Sequence, residues 1–270
     1  MEWSCGLPLA AWTVIILLLE VREDGKVLGK MRLVCKAWTI HCDQNIVKLF
    51  LSSAGPITVM ARMRFLRKFP QLQEVLISEE NYTWGKALDS LPKSLTCLTL
   101  DTNVRRSDSC DLAGFTALTT LDLWGRFEHL LGLEGLSSLK SLSLSGTMCV
   151  LGDGAFRSLS GLTNLTYLDL TNCHKLSPTH GFATLACFTG LTSLNLAGTM
   201  ANNTVLLETV STLSALAHLE IDNDELVRRV MITTTAVREL KNILPGIRVW
   251  KQRFSVTKYL GFRSELMLVY

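Results

Sequence analysis

The motif L-x-x-L-x-L recurs along this chain of 270 residues, and no other feature restricts its fold as strongly. It is loose in NIVKLFL (Ile46, Leu49, Leu51) and then regular in LQEVLI, LTCLTL, LTTLDL, LKSLSL, LTYLDL, LTSLNL and LAHLEI. A degenerate last copy is expected in LPGIRV, from Leu244. The copies start at residues 46, 72, 95, 118, 139, 165, 191, 216 and 244, giving spacings of 26, 23, 23, 21, 26, 26, 25 and 28. A period of this size marks a stacked repeat architecture.

Within each copy the fourth and sixth residues alternate with polar ones, which predicts a short strand with one face buried. The 15 to 22 residues between copies are long enough to return the chain to a parallel neighbour as helix, helical turn or extended segment. Three buried leucines contribute roughly 1.5–3 kcal/mol each, whereas ordering some two dozen residues costs about 1–2 kcal/mol apiece. One unit therefore cannot fold alone. Stacked, each unit covers its neighbour's leucines and completes its hydrogen bonds, so the expected object is a solenoid.

With this pattern, residues 46–250 resemble a leucine-rich-repeat domain: an α/β solenoid with a curved parallel sheet and a helical or irregular convex side. That family carries Asn or Cys at a ladder position three residues past the third leucine. Here Asn103 and Cys173 match, while Arg126, Thr147, Thr199 and Asp224 depart from the pattern.

Ahead of the repeats, LPLAAWTVIILLLEV predicts a helix starting near Pro8, since proline is tolerated in a first turn. The loop REDGK follows, and VLGKMRLVCKAW predicts a second helix with Leu28, Met31, Val34, Cys35 and Trp38 at helical spacing. In order and residue type, L-P, an apolar helix and then M-R-L-V-C-K-A-W, residues 1–45 resemble an F-box. That short helical motif docks a substrate receptor onto the Skp adaptor of cullin-based ubiquitin ligases. The resemblance implies that Leu7, Pro8, Ile15, Leu18 and Val34 contact the adaptor and that Cys35 and Trp38 knit the two helices together. Ala10 and Ala11 stand where acidic residues are common, and residues 25–27 look like a small insertion. The alternative is a helical cap that merely closes the solenoid.

Composition bears mainly on exclusions. With 48% apolar residues the chain can bury a large core, and a net charge of +3 without any Lys/Arg block does not call for nucleic acid. The apolar run Leu7–Leu19 is thirteen residues long, short of the roughly 20 that span a bilayer, and it lacks the positive start of a secretory signal. Eight cysteines form no CxxC pair and mostly fall in apolar runs, as free thiols do in a reducing compartment. Asn81, Asn164 and Asn202 open N-x-[ST] matches, against about two expected by chance from the Asn, Ser and Thr content. Cytoplasmic or nuclear residence is expected, with no membrane.

If the leucines point inward, the residues between them form the concave face. The columns so defined hold Glu74, Asp101, Asp122, Asp169, Glu220 and Asp222, together with the aromatic Trp124 and Tyr167. Six carboxylates of one sign and two exposed aromatics suit a basic polypeptide partner. No G-x-S-x-G, Walker or H-E-x-x-H motif occurs, and the Cys173, His174, His180 group matches no common zinc spacing. Neither cofactor, metal nor catalytic residue is expected. What the resemblance implies is a non-catalytic substrate receptor that reaches a cullin through the Skp adaptor and holds a protein substrate on the concave face. The competing expectation is a cytosolic leucine-rich scaffold unconnected with ubiquitin. Residues 251–270 leave the period and are expected to form a cap or a tail.

Overall fold

The computed structural model describes residues 47–52, 69–79, 88–102, 108–125, 127–145, 152–178, 180–222, 232–252 and 266–268. The expected adaptor-binding residues Leu7, Pro8, Ile15, Leu18, Val34, Cys35 and Trp38 lie outside them.

Each copy of the motif forms one strand. They are β1 (Lys48–Ser52), β2 (Glu74–Glu79), β3 (Cys97–Thr102), β5 (Thr120–Gly125), β7 (Ser141–Ser143), β8 (Tyr167–Asp169), β9 (Ser193–Asn195), β10 (His218–Asp222) and β11 (Arg248–Gln252). These nine pair in parallel in chain order. A tenth strand, β12 (Leu266–Leu268), runs antiparallel to β11 and occupies the edge of the sheet, with Trp250 opposite Leu268. The segment after Val249 thus continues the sheet without continuing the repeat.

The register is that of the motif. Val75, Leu98, Leu121, Leu142, Leu168, Leu194, Leu219 and Val249 align across eight strands, and every one of them is buried. Strand pleating sends alternate residues to opposite faces, so the fourth and sixth residues of each unit point into the core while the third and fifth point out. The second residue carries its own ladder. The Gln73, Thr96, Thr119, Lys140, Thr166 and Thr192 carbonyls each accept two amides from the next unit. Where that position is threonine, the hydroxyl reinforces the bond: Thr119 Oγ1 donates to the Thr96 carbonyl at 3.0 Å and Thr192 Oγ1 to that of Thr166 at 2.9 Å.

The return segments carry a second apolar series at three-residue spacing: Leu112, Phe115, Leu118; Leu133, Leu136, Leu139; Leu159, Leu162, Leu165; Leu185, Phe188, Leu191. In each triplet the later amide donates to the carbonyl three residues back, at 2.9–3.2 Å. Such bonds tighten the chain into 3-10 geometry and stack side chains at i and i+3 on the core. Among the described residues, regular helix is limited to α1 (Asp153–Arg157) and α2 (Thr234–Ile243). On two returns the chain is extended instead, where β4 (Asp108–Asp111) pairs in parallel with β6 (Phe127–Leu131).

The last copy departs from the expected frame. The Ile247 amide donates to the Leu244 carbonyl, as the Leu216 amide donates to that of Leu213, and Val249 pairs with Leu219. Ile247 therefore takes the place of the first leucine, one residue nearer its strand than Leu216 is to Leu219, and Leu244 belongs to the return segment. A leucine three residues before the unit imitates its first leucine, because both series share that spacing.

Candidate functional site

The open face of the sheet is built from two rows. The outer one runs Glu74, Cys97, Thr120, Ser141, Tyr167, Ser193, His218 and Arg248, and the central one Leu76, Thr99, Asp122, Ser143, Asp169, Asn195, Glu220 and Trp250.

A third row was expected after the third leucine, and it forms only in the first half of the array. Asp101 and Trp124 are exposed there, but Ser145, Thr171 and Ala197 are buried. The cause is local. Asp169 Oδ1 accepts the Thr171 amide at 2.8 Å and its hydroxyl at 2.5 Å, and Asn195 Oδ1 accepts the Ala197 amide at 2.9 Å. A side chain that captures the amide two residues on turns the chain out of the sheet. Strands β8 and β9 consequently span three residues each, where β2, β3 and β5 span six.

The expected partner-binding residues fall into three groups. Glu74 lies toward one end and pairs with Lys48 at 2.6 Å. Asp122, Trp124, Tyr167 and Asp169 cluster around β7, with Trp124 and Tyr167 at 37% and 38% exposure while Asp169 is nearly covered. Glu220 accepts a 2.6 Å bond from Asn195 Nδ2. Asp101 sits beside Trp124 in register, and Asp222 ends β10 opposite Gln252. The acidic character holds in the middle of the face, whereas Lys48 and Arg248 bring cations to its ends. Asn195, which ties the Asp169 side of the face to Glu220, stood in the alternating column yet carried no charge to draw attention.

Burial pushes the Asp122 carboxyl above its usual range, with nearby Asp169 and Asp101 adding to it, against hydrogen bonds from the Ser143 and Trp124 side chains. Burial also pushes the Tyr167 phenol up to about 12, helped by the charges of Asp169, Glu220 and Asp122. The Cys97 thiol is likewise raised, mainly by burial and then by Glu74, which disfavours the thiolate a nucleophile requires. Cys173, at the ladder position, is buried and its Sγ lies 3.5 Å from the Leu144 carbonyl of the preceding unit. Among the described residues no group of three or more His, Cys, Asp or Glu is placed to hold a metal ion. Nor, among them, is any helix long and apolar enough to cross a membrane.

No family model and no curated protein sequence matches the chain. Among solved structures, an internalin of Listeria monocytogenes superposes with a TM-score of 0.57 at 17% identity, over 78% of this chain and 55% of that one. The fold is a leucine-rich-repeat solenoid. A second Listeria monocytogenes protein, described as including a cysteine ladder, matches at TM-score 0.37 and 15% identity over 72% of this chain and 47% of its own. A leucine-rich-repeat protein of Leptospira interrogans matches at 0.24 and 13% identity over 78% and 91%. At these identities the likeness concerns the fold, and only the first superposition carries weight. This chain spans about half the length of that internalin. Leucine-rich-repeat architecture supplies an extended sheet face suited to holding proteins.

Proposed function

We propose that this chain is a non-catalytic protein-recognition subunit whose open sheet face holds a polypeptide partner. The observation that carries this is the central row: Asp122, Ser143, Asp169, Asn195 and Glu220 in consecutive register, bordered by exposed Trp124 and Tyr167. Aromatic side chains that are half out of water anchor interfaces, and a field of one sign selects the opposite sign. A basic segment of the partner is the complement.

The finer proposal is that residues 1–45 bind a Skp adaptor, and through it a cullin, so that the array presents its partner for ubiquitylation. Its support is the M-R-L-V-C-K-A-W segment following the Leu7-Pro8 start. The receptor would make no bond itself and would act by raising local concentration. On this proposal the protein works in the cytoplasm or nucleus. Calorimetric titration of the purified chain with a Skp adaptor tests it: a one-to-one complex lost in Val34→Asp and kept in Asp122→Asn supports it. Absence of any complex leaves the alternative, a protein-binding scaffold without a ubiquitin role.

A further inference from the structure

The two side chains that β7 places on the open face are both small, Ser141 and Ser143, between larger neighbours on β5 and β8. Register sets Asp122 on one side of Ser143 and Asp169 on the other. Two strand spacings separate them, about 9.5 Å between backbones. Trp124 lies two residues beyond Asp122 on β5, and Tyr167 two residues before Asp169 on β8, so the exposed aromatics stand at diagonal corners. The result is a trough floored by hydroxyls, walled by one carboxylate on each side.

The two carboxylates differ. Asp169 is occupied by the Thr171 amide and hydroxyl. Asp122 receives the Ser143 and Trp124 side chains, yet its Oδ1 is buried without a hydrogen-bond partner. The terminal torsion of an aspartate is broad, so a small rotation turns this oxygen toward a donor arriving in the trough. Burial first, and then the charges of Asp169, Glu220 and Asp122, raise the neighbouring Tyr167 phenol. From β3 to β9 no outer-row or central-row position is Lys or Arg.

We propose that the trough over β7 receives one arginine or lysine side chain of the polypeptide partner, its charged head between Asp122 and Asp169 and its stem against Tyr167 and Trp124. The inference rests on the protein-binding role proposed above and narrows it to a single cationic anchor. A guanidinium or ammonium entering there would make charge-assisted bonds of about 2.8 Å to carboxylate oxygens. The aromatic corners favour a cation and accept an aliphatic stem.

Nuclear magnetic resonance titration of the full chain tests this with two probes, a five-residue glycine peptide bearing one central arginine and its lysine counterpart. The neutral control carries citrulline. Saturable shifts are expected at the Trp124 indole and at the Ser143 and Tyr167 amides with either cationic probe, with dissociation constants on the order of 1 mM. The citrulline peptide should leave them unmoved, and Asp122→Asn should weaken binding about tenfold, a loss equivalent to one decade in the constant. If that variant fails to fold, Trp124→Ala should weaken binding in the same way. Equal shifts with citrulline, unchanged affinity in the folded variant, shifts centred on Glu74, or no saturable shift would overturn the trough. Retention of a partner on this face by an Asp122→Asn chain overturns the trough alone, whereas a face that holds no partner at all overturns the role on which it rests.

Discussion

Asn195 and Glu220 sit side by side on adjacent strands, and the Asn195 amide uses both ends: Nδ2 donates to Glu220 Oε2 at 2.6 Å while Oδ1 accepts the Ala197 amide at 2.9 Å. One side chain thus ends its own strand and hydrogen-bonds an acid of the row. Asn195→Asp keeps the acceptor for Ala197 but sets a carboxylate against Glu220. The expected loss is about 1–2 kcal/mol at pH 7. Repulsion between two acids raises their folded pKa values, so the loss should shrink as pH falls toward 4. Urea midpoints of both proteins at the two pH values check this.

Asp153 and Ser177 lock neighbouring units from the other side of the array. The Asp153 carboxylate accepts the Ser177 amide at 2.8 Å and the Ser177 hydroxyl at 2.5 Å, which holds its pKa below the usual carboxylate range. A depressed folded value gives stability that is present above the unfolded pKa of about 3.9 and is lost as pH falls through the lower folded value. Because the group is largely solvated, the effect should be modest. Asp153→Ala is expected to cost about 1 kcal/mol near neutrality, with the difference from the parent narrowing as pH falls below the usual carboxylate range. Thermal scans across that range decide it.

Asp122 should behave in the opposite sense. Its pKa is raised by burial, so the ionised form burdens the fold above that pKa, and the burden lifts as pH falls toward the unfolded value. Asp122→Asn is expected to stabilise the chain at pH 7, by up to about 1 kcal/mol, and to lose that advantage near pH 4. Stability gained where partner affinity is lost is the usual exchange at a binding site. Equal stability of the two proteins at pH 7 would contradict the assigned cause.

Gly132 turns the chain out of β6 with φ of 77°. A Cβ there would meet the Ala113 Cα at 2.8 Å and the Leu112 carbonyl carbon at 2.9 Å, both backbone atoms that cannot swing aside. Gly132→Ala combines left-handed strain with this collision and should cost more than about 2 kcal/mol. Gly135, three residues on, has open space around its Cβ position. Gly135→Ala should therefore be nearly neutral, and comparison of the two melting temperatures is the check.

The leucines at the first, fourth and sixth positions were legible because a period repeated eight times leaves little else for them to do. The second series, Leu112 to Phe115 to Leu118 and its equivalents, was equally present in the letters. It hid because its spacing merges with that of the unit itself, and the same merger misplaced the start of the last copy at Leu244. What the letters could not carry was strand length. LDLWG and LDLTN begin alike, yet Asp122 leaves its strand extended while Asp169 ends its own. Asp169 captures the Thr171 amide as well as its hydroxyl, as Asn195 captures the Ala197 amide. Thr171 and Ala197 are buried, whereas Trp124 is exposed. Strand length thus decides which of the expected residues stand on the open face.

The central claim is that partners sit on the open face. A photo-reactive phenylalanine analogue placed at Tyr167 on that face and, separately, at Arg157 on the exposed back of the array tests it most directly in living cells. The account predicts a discrete cross-linked protein from position 167, depleted by Trp124→Ala, and none from position 157. Products of equal yield from both positions, or none from 167, would contradict it.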